Sequence, residues 1–118
     1  IGAFIGYSAV RIGQSLPVDG HLTSVELSSK NAGIARQTLE YAGLSSKVTI
    51  VEGTVSTVLK DYVQSNGLAP FDFVFIDHAK DYYLSDLLYL LDNSLIAPGG
   101  IIVADNIIYP GAPDYREY

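Results

Sequence analysis

The chain has 118 residues, 48% of them apolar, and 7 Lys and Arg against 13 Asp and Glu give a net charge of −6. That length and apolar content suffice for one domain with a real core and do not fit a disordered chain. The acidic balance excludes a basic nucleic-acid or anionic-membrane surface, the lack of cysteine excludes disulfides and thiolate metal sites, and no apolar run approaches the roughly 20 residues of a membrane span.

Residues 1–5 (IGAFI) form an apolar stub before Gly6 and read as the end of a first strand. Residues 7–15 suit a helix that stops between Gly13 and Pro17. HLTSVEL (21–27) is a strand candidate ending at Glu26. Residues 29–42 predict a second helix, with apolar residues at Ile34, Leu39 and Ala42 and Gly43 as its stop. KVTIV (47–51) is β-branched and strand-like. Val55, Val58, Leu59, Tyr62 and Val63 follow the i, i+3, i+4, i+7, i+8 spacing of a helical stripe. FDFVFI (71–76) is a clear strand. Leu84, Leu87, Leu88 and Leu91 form another stripe, with Asp81 as the expected N-cap. APGG (97–100) reads as a turn before the strand IIVA (101–104), and the tail YPGAPDYREY as a loop. The sequence starts without Met or a charged leader, so a fragment cut at both ends is expected.

Strands alternating with helices imply an α/β fold: a parallel sheet covered on both faces. With no repeat and no linker, residues 1–118 are read as a single domain. In open sheets of this kind ligands bind outside the carboxyl ends of the strands, and polar or glycine-rich positions fall there repeatedly. Gly2 and Gly6 bracket a turn through which a ligand can approach the backbone closely. An ordinary strand-to-helix turn explains the pair equally well. The spacing is not G-x-G-x-x-G, so a ligand without a pyrophosphate is the more natural one. Glu26 ends the second strand, where an acid can accept both ribose hydroxyls or simply be solvated.

Asp77, Asp105 and Asn106 follow two strands expected to be neighbours. Singly, each is an ordinary cap or turn former. Together they make a hard, all-oxygen set that suits Mg²⁺ and is poor for structural zinc. Lys80 stands three residues past Asp77. Beside a divalent cation its neutral form is favoured, and a neutral amine is a general base; without the metal it is a solvated lysine. His78 is open to two readings, stacking on a cofactor or serving as a satisfied structural histidine. His21 reads as a loop residue.

GAFIGYSAVR (2–11), VEL (25–27), FVFIDHAKDYYL (73–84) and VADNIIYPGAPDY (103–115) together resemble the catechol O-methyltransferases. These are Mg²⁺-dependent enzymes that use S-adenosyl-L-methionine and have the Rossmann-like class I methyltransferase fold. The resemblance runs along nearly the whole chain. The D-H-x-K-D-x-Y-L and A-D-N-x-I-x-P-G-x-P-D strings are its specific part. It implies five parallel strands in the order 3-2-1-4-5. It implies cofactor-binding positions at Gly2, Gly6, Tyr7, Ser8, Glu26, Leu27, Gly53, Asp77 and His78, with Glu26 on the ribose. It implies Mg²⁺ on Asp77, Asp105 and Asn106, and a catechol-type acceptor beside Lys80, Asn106 and Pro110. Lys80 would take the proton of one hydroxyl. A small phenolic substrate, no nucleic acid, no membrane, a monomer and a cytoplasmic location complete that expectation.

Two positions depart from the resemblance. Ala79 stands where an aromatic residue is usual, and Val55 where a serine is usual. N-terminal helices and two further acids of the family pattern lie outside this sequence. Three other readings compete. A caffeoyl-CoA-like O-methyltransferase shares the Asp…Lys and Asp-Asn elements. A dehydrogenase has the wrong glycine pattern and no use for an Asp-Asn metal pair. A cofactor-binding remnant without activity is the non-enzyme alternative.

Overall fold

Two parallel strand pairs organise the chain, each joined through a helical crossover. The computed structural model describes residues 1–66 and 69–118, and side chains outside 62–68. These residues fall into two units, Gly2–Val58 and Leu59–Tyr118 with Ile1. Among them no helix is long and apolar enough to cross a membrane.

The first unit contains α1 (Tyr7–Ser15), β1 (Leu22–Glu26), α2 (Ser29–Tyr41) and β2 (Val48–Glu52). β1 and β2 pair in parallel from Leu22↔Val48 to Glu26↔Glu52. A parallel pair needs a long crossover, and α2 supplies it. Ser28 caps α2, its Oγ accepting from Asn31 N at 3.3 Å. The helix stops where Gly43 takes φ +70°, the left-handed position that glycine adopts without strain.

The buried face of α2 is Ala32, Ala35 and Leu39, which join Ala3, Ala9, Leu44, Val48 and Ile50 in one core. This corrects the predicted stripe. Ile34 is 38% exposed and Ala42 is exposed at the helix end. One residue turns a helix by about 100°, so Ile34 cannot share the face of Ala35. The small alanines allow close approach: a Cβ on Gly6 would lie 3.2 Å from Ala35 Cα.

Residues 1–5 are not a strand, so the described residues contain four strands rather than the five expected. Gly2 (φ +87°) and Phe4 (φ +47°) turn the backbone out of the extended region. The Gly2 N–H is the one that reaches the β1 backbone among the described residues, donating to Val25 O at 2.9 Å.

The second unit contains β3 (Phe71–Ile76), a short helical turn (Lys80–Tyr82), α4 (Tyr83–Asp92), β4 (Ile96–Ala104), an irregular turn (Ile107–Gly111) and α5 (Pro113–Glu117). β3 and β4 are parallel, with Phe71 opposite Ile96 and then Phe73↔Ile101 through Ile76↔Ala104. The register shift means that APGG lies inside β4 as a bulge and is not a turn before it. Gly99 takes φ +81°, and a Cβ on Gly100 would come within 2.9 Å of Ala97 O and 3.0 Å of Phe71 O. Glycine inside a strand often marks such an irregularity.

On α4 the buried residues are Tyr83, Leu87 and Leu90. Leu91 is 41% exposed, and Leu84 and Leu88 are half-buried, so this predicted stripe is also rotated. Asp81 is not the N-cap. The short turn begins at Lys80, Tyr82 takes the cap position without a side-chain hydrogen bond, and Asp81 stays exposed. The tail is partly helical. Tyr109 is extended within the irregular turn, and Pro113 opens α5, a position that wastes no backbone donor.

α3 (Val55–Asn66) begins in the first unit and ends in the second. Val55, Val58 and Leu59 are buried as the stripe predicts; the side chains of Tyr62 and Val63 lie outside the described residues.

The rotated face of α2 is testable. Leu39→Ala is expected to lower unfolding free energy by about 2–5 kcal/mol, the range for emptying a buried leucine site. Ile34→Ala should cost under about 1 kcal/mol. Denaturant unfolding of the two variants distinguishes them, and equal losses would restore Ile34 to the core.

Candidate active site

In the first unit the carboxyl end of β1 meets the glycine turn. Glu26 Oε2 accepts from Phe4 N at 2.8 Å, and Oε1 accepts from Ser28 N at 2.9 Å. One carboxylate thus ties the turn to the strand and to the start of α2. Each oxygen keeps a further lone pair for a ligand hydroxyl. Gly6 N donates to Ala3 O at 2.8 Å, and Gly6 takes φ +95° immediately before α1. With Ala35 so close and φ in the left-handed region, any side chain there is strained. Ser8 is half-buried in the first turn of α1. Phe4, Tyr7 and Leu27 expose 65%, 72% and 69% of their surface, so apolar area lies open around the Glu26 end of the strand. At the end of β2, Gly53 takes φ +142° and donates its N–H to Glu26 O at 3.0 Å. Val55, where the family resemblance expects a serine, is buried and offers no polar group.

Glu52, the other acid at this edge, is spoken for. Arg36 Nη1 donates to its Oε1 at 2.7 Å while Nη2 donates to Ile50 O at 3.1 Å. Hydrogen bonds from Arg36 and Ser29 hold the Glu52 carboxyl below its ordinary range. His21, read as a loop residue, lies just before β1 with Nε2 2.9 Å from Thr49 Oγ1.

In the second unit the last paired residues are Ile76 and Ala104. Asp77 and Asp105 therefore leave neighbouring strands at the same level, and Asp105 N still donates to Ile76 O at 2.9 Å. Asn106 takes φ +56°, ψ +30°, a left-handed conformation that asparagine tolerates better than most residues. Its N–H donates to Asp105 Oδ1 at 2.6 Å.

Lys80 Nζ lies 3.6 Å from Asp77 Oδ1 and donates to Asp105 O at 3.3 Å. It also donates to the hydroxyl of Tyr83, which in turn donates to Asp105 O at 3.0 Å. The sequence singled out neither Tyr83 nor Asp86. The Asp77–Lys80–Tyr83 spacing of three, on a segment entering a helix, is the signal that finds Tyr83. Burial raises the Tyr83 phenol above its ordinary pKa, and the Lys80 hydrogen bond and charge oppose that shift. The phenol therefore keeps its proton near neutral pH.

His78 packs within its own unit. Its ring stacks on Tyr83 (5.1 Å between centroids) and Tyr82 (6.4 Å). Nε2 is 2.8 Å from Asp86 Oδ2, an ion-pair distance whose geometry does not align as a hydrogen bond. Pro110 is exposed in the turn after Asn106.

The donor set can be tested against a metal. Among the described residues no three His, Cys, Asp or Glu side chains cluster so as to hold an ion by themselves. Asp77 and Asp105 remain, leaving neighbouring strands at the same level, with Asn106 next to the second. Such a hard but incomplete set fits Mg²⁺, which keeps several waters and shares its remaining positions with substrate oxygens.

The sequence pattern of the O-methyltransferase family matches residues 1–115. The chain is 41% identical over 118 residues to a catechol O-methyltransferase of Bos taurus, covering 100% of this chain and 43% of that protein. To a probable O-methyltransferase of Mycobacterium tuberculosis it is 42% identical over 122 residues, covering 100% and 52%. Among solved structures, an O-methyltransferase from Bacillus cereus in complex with SAH superposes with a TM-score of 0.85 at 32% identity, over 93% of this chain and 49% of that one. The SAM complex of the O-methyltransferase TomG from Streptomyces achromogenes, involved in tomaymycin synthesis, gives 0.83 at 32% identity, over 99% and 51%. The chain thus spans about half the length of these relatives. With its Rossmann-like α/β architecture, this chain belongs to the O-methyltransferase family.

Proposed function

We propose that the whole protein transfers a methyl group from S-adenosyl-L-methionine to one hydroxyl of a catechol-type acceptor. Mg²⁺ assists and Lys80 is the general base; residues 1–118 are read as part of a single methyltransferase domain. The observation that carries this reading is the group at the ends of β3 and β4, where Asp77, Asp105 and Lys80 converge. The catechol O-methyltransferase name of relatives at 41% identity supports the acceptor class. The SAH and SAM complexes of similar structures support the methyl donor.

The residues divide the work. Glu26 accepts the ribose hydroxyls, and the turn from Gly2 to Gly6, with Tyr7 and Ser8, receives the methionine end. Leu27 and Gly53 flank the nucleoside. Asp77, Asp105 and Asn106 would hold Mg²⁺, whose charge would lower the pKa of an acceptor hydroxyl. Lys80 Nζ takes the hydroxyl proton, leaving the electron pair on the acceptor oxygen. That oxygen forms its bond to the methyl carbon as the carbon–sulfur bond breaks, and S-adenosylhomocysteine leaves as a neutral thioether. The transfer needs nucleophile, carbon and sulfur in line, a demand on positioning more than on chemistry. Asn106 and Pro110 border the acceptor.

Three outcomes are expected. Glu26→Gln should weaken S-adenosyl-L-methionine binding by about 1–3 kcal/mol in calorimetry, the scale of a charge-assisted hydrogen bond lost; unchanged affinity makes Glu26 a purely structural tie. Asp105→Ala should abolish Mg²⁺-dependent turnover and weaken donor binding far less, and parallel loss of both would sink the metal assignment. Lys80→Ala should slow methyl transfer by about 10²–10⁴-fold with donor affinity nearly intact. An acceptor of much lower phenol pKa should recover part of that loss, since it arrives already ionised.

A further inference from the structure

Lys80 is a flexible side chain, and a general base must present its lone pair in one direction. A neutral amine has two N–H bonds and one lone pair. Two acceptors are fixed around Lys80 Nζ: the Tyr83 hydroxyl and the Asp105 carbonyl. If both N–H bonds are taken, the lone pair is the only direction left. Asp77 Oδ1, at 3.6 Å, is beyond a normal hydrogen bond and does not compete for them.

Tyr83 is well built for such a role. It has no exposed surface. Its ring is held by His78, stacked at 5.1 Å, and by Tyr115, edge-on at 5.8 Å. Its hydroxyl proton is committed to Asp105 O at 3.0 Å. With its proton so directed, the phenol oxygen can only accept from Lys80. The amine also sits 4.3 Å from the ring centroid, so the tyrosine confines it from the side.

We infer that Tyr83 is a positioning residue for the base: its buried hydroxyl and the Asp105 carbonyl together take the N–H bonds of Lys80 and aim its lone pair at the acceptor hydroxyl. This rests on the reading of Lys80 as general base. In this role Tyr83 acts through Lys80 and takes no proton itself.

The test is a double-mutant cycle in the full-length protein, with kcat measured on a catechol at saturating S-adenosyl-L-methionine and Mg²⁺. Tyr83→Phe keeps the ring and removes one oxygen, so the packing against His78 and Tyr115 survives. Thermal unfolding sets an assay temperature at which every variant is folded. Tyr83→Phe is expected to lower kcat about 10- to 100-fold, the cost of a misplaced catalytic group, with acceptor KM and donor affinity unchanged. In the Lys80→Ala background the same substitution should change kcat by less than about two-fold, because no amine remains to be aimed. Should Tyr83→Leu be folded as well, its loss should vanish likewise in that background. An equal loss from Tyr83→Phe in both backgrounds overturns the inference and leaves the base assignment standing, as does a Tyr83→Phe variant at native rate. A Lys80→Ala variant at native rate removes the base assignment, and this inference with it.

Discussion

A parallel ladder carries both of its strands to the same edge, so the residues that follow leave the sheet side by side. In β3 and β4 the last pair is Ile76↔Ala104, and the hydrogen bond from Asp105 N to Ile76 O extends the ladder one step. Asp77 and Asp105 have no freedom to avoid each other after that. Antiparallel pairing of the same segments would put their ends at opposite edges. The proximity of two acids is therefore a consequence of topology, and everything chemical about this edge is a response to it.

The responses differ between the strand ends, and the differences separate function from structure. Glu52 is satisfied by Arg36, which also holds the strand backbone. An acid paired in this way needs no ligand. Glu26 is satisfied by two backbone N–H groups. That arrangement fixes the carboxylate in place and leaves it able to accept hydroxyl donors. Asp77 and Asp105 have a different balance. Asp105 Oδ1 takes one N–H from Asn106, and the nearest cation is an ammonium 3.6 Å from Asp77. Like charges on neighbouring strands are unfavourable, and a monocation at that distance compensates them incompletely. A divalent ion suits such an edge better than a second surface lysine.

Three of the strand spans were legible to within a residue at each end because β-branched and aromatic runs bounded by glycine or acids leave little choice: FDFVFI is β3 without a residue added. The strand-end positions were legible for the same reason, since a parallel sheet puts ligands at one edge. The rotational phase of the helices was not. Leu91 outranks Tyr83 in apolarity, yet Tyr83 is buried and Leu91 is 41% exposed; what decides is which side faces the sheet, a tertiary fact. The Pro-Gly-Gly run misled because a bulge and a turn draw on the same residues. The apolar stub IGAFI misled because composition records hydrophobicity but not φ, and Gly2 and Phe4 both lie at positive φ.

The segment from Asp77 to Tyr83 explains why a lysine in a loop can be held as firmly as one on a strand. Asp77 N donates to Ile1 O at 3.0 Å, pinning the start. The His78 ring stacks on Tyr83 and Tyr82, and Nε2 contacts Asp86 on α4. Tyr82 N donates to Ala79 O at 3.1 Å, closing a short turn around Lys80. The histidine is thus bound to the helix that follows it, and the lysine lies between two anchored points. A loop tied in this way loses most of its conformational freedom on folding, and that entropy is lost once, before any ligand arrives. Ala79, exposed between His78 and Lys80, contributes its backbone carbonyl to those ties and nothing from its side chain. Its departure from the aromatic residue of the family pattern therefore touches none of the hydrogen bonds that hold Lys80. It alters the exposed surface beside Lys80 and not the contacts by which Lys80 is held.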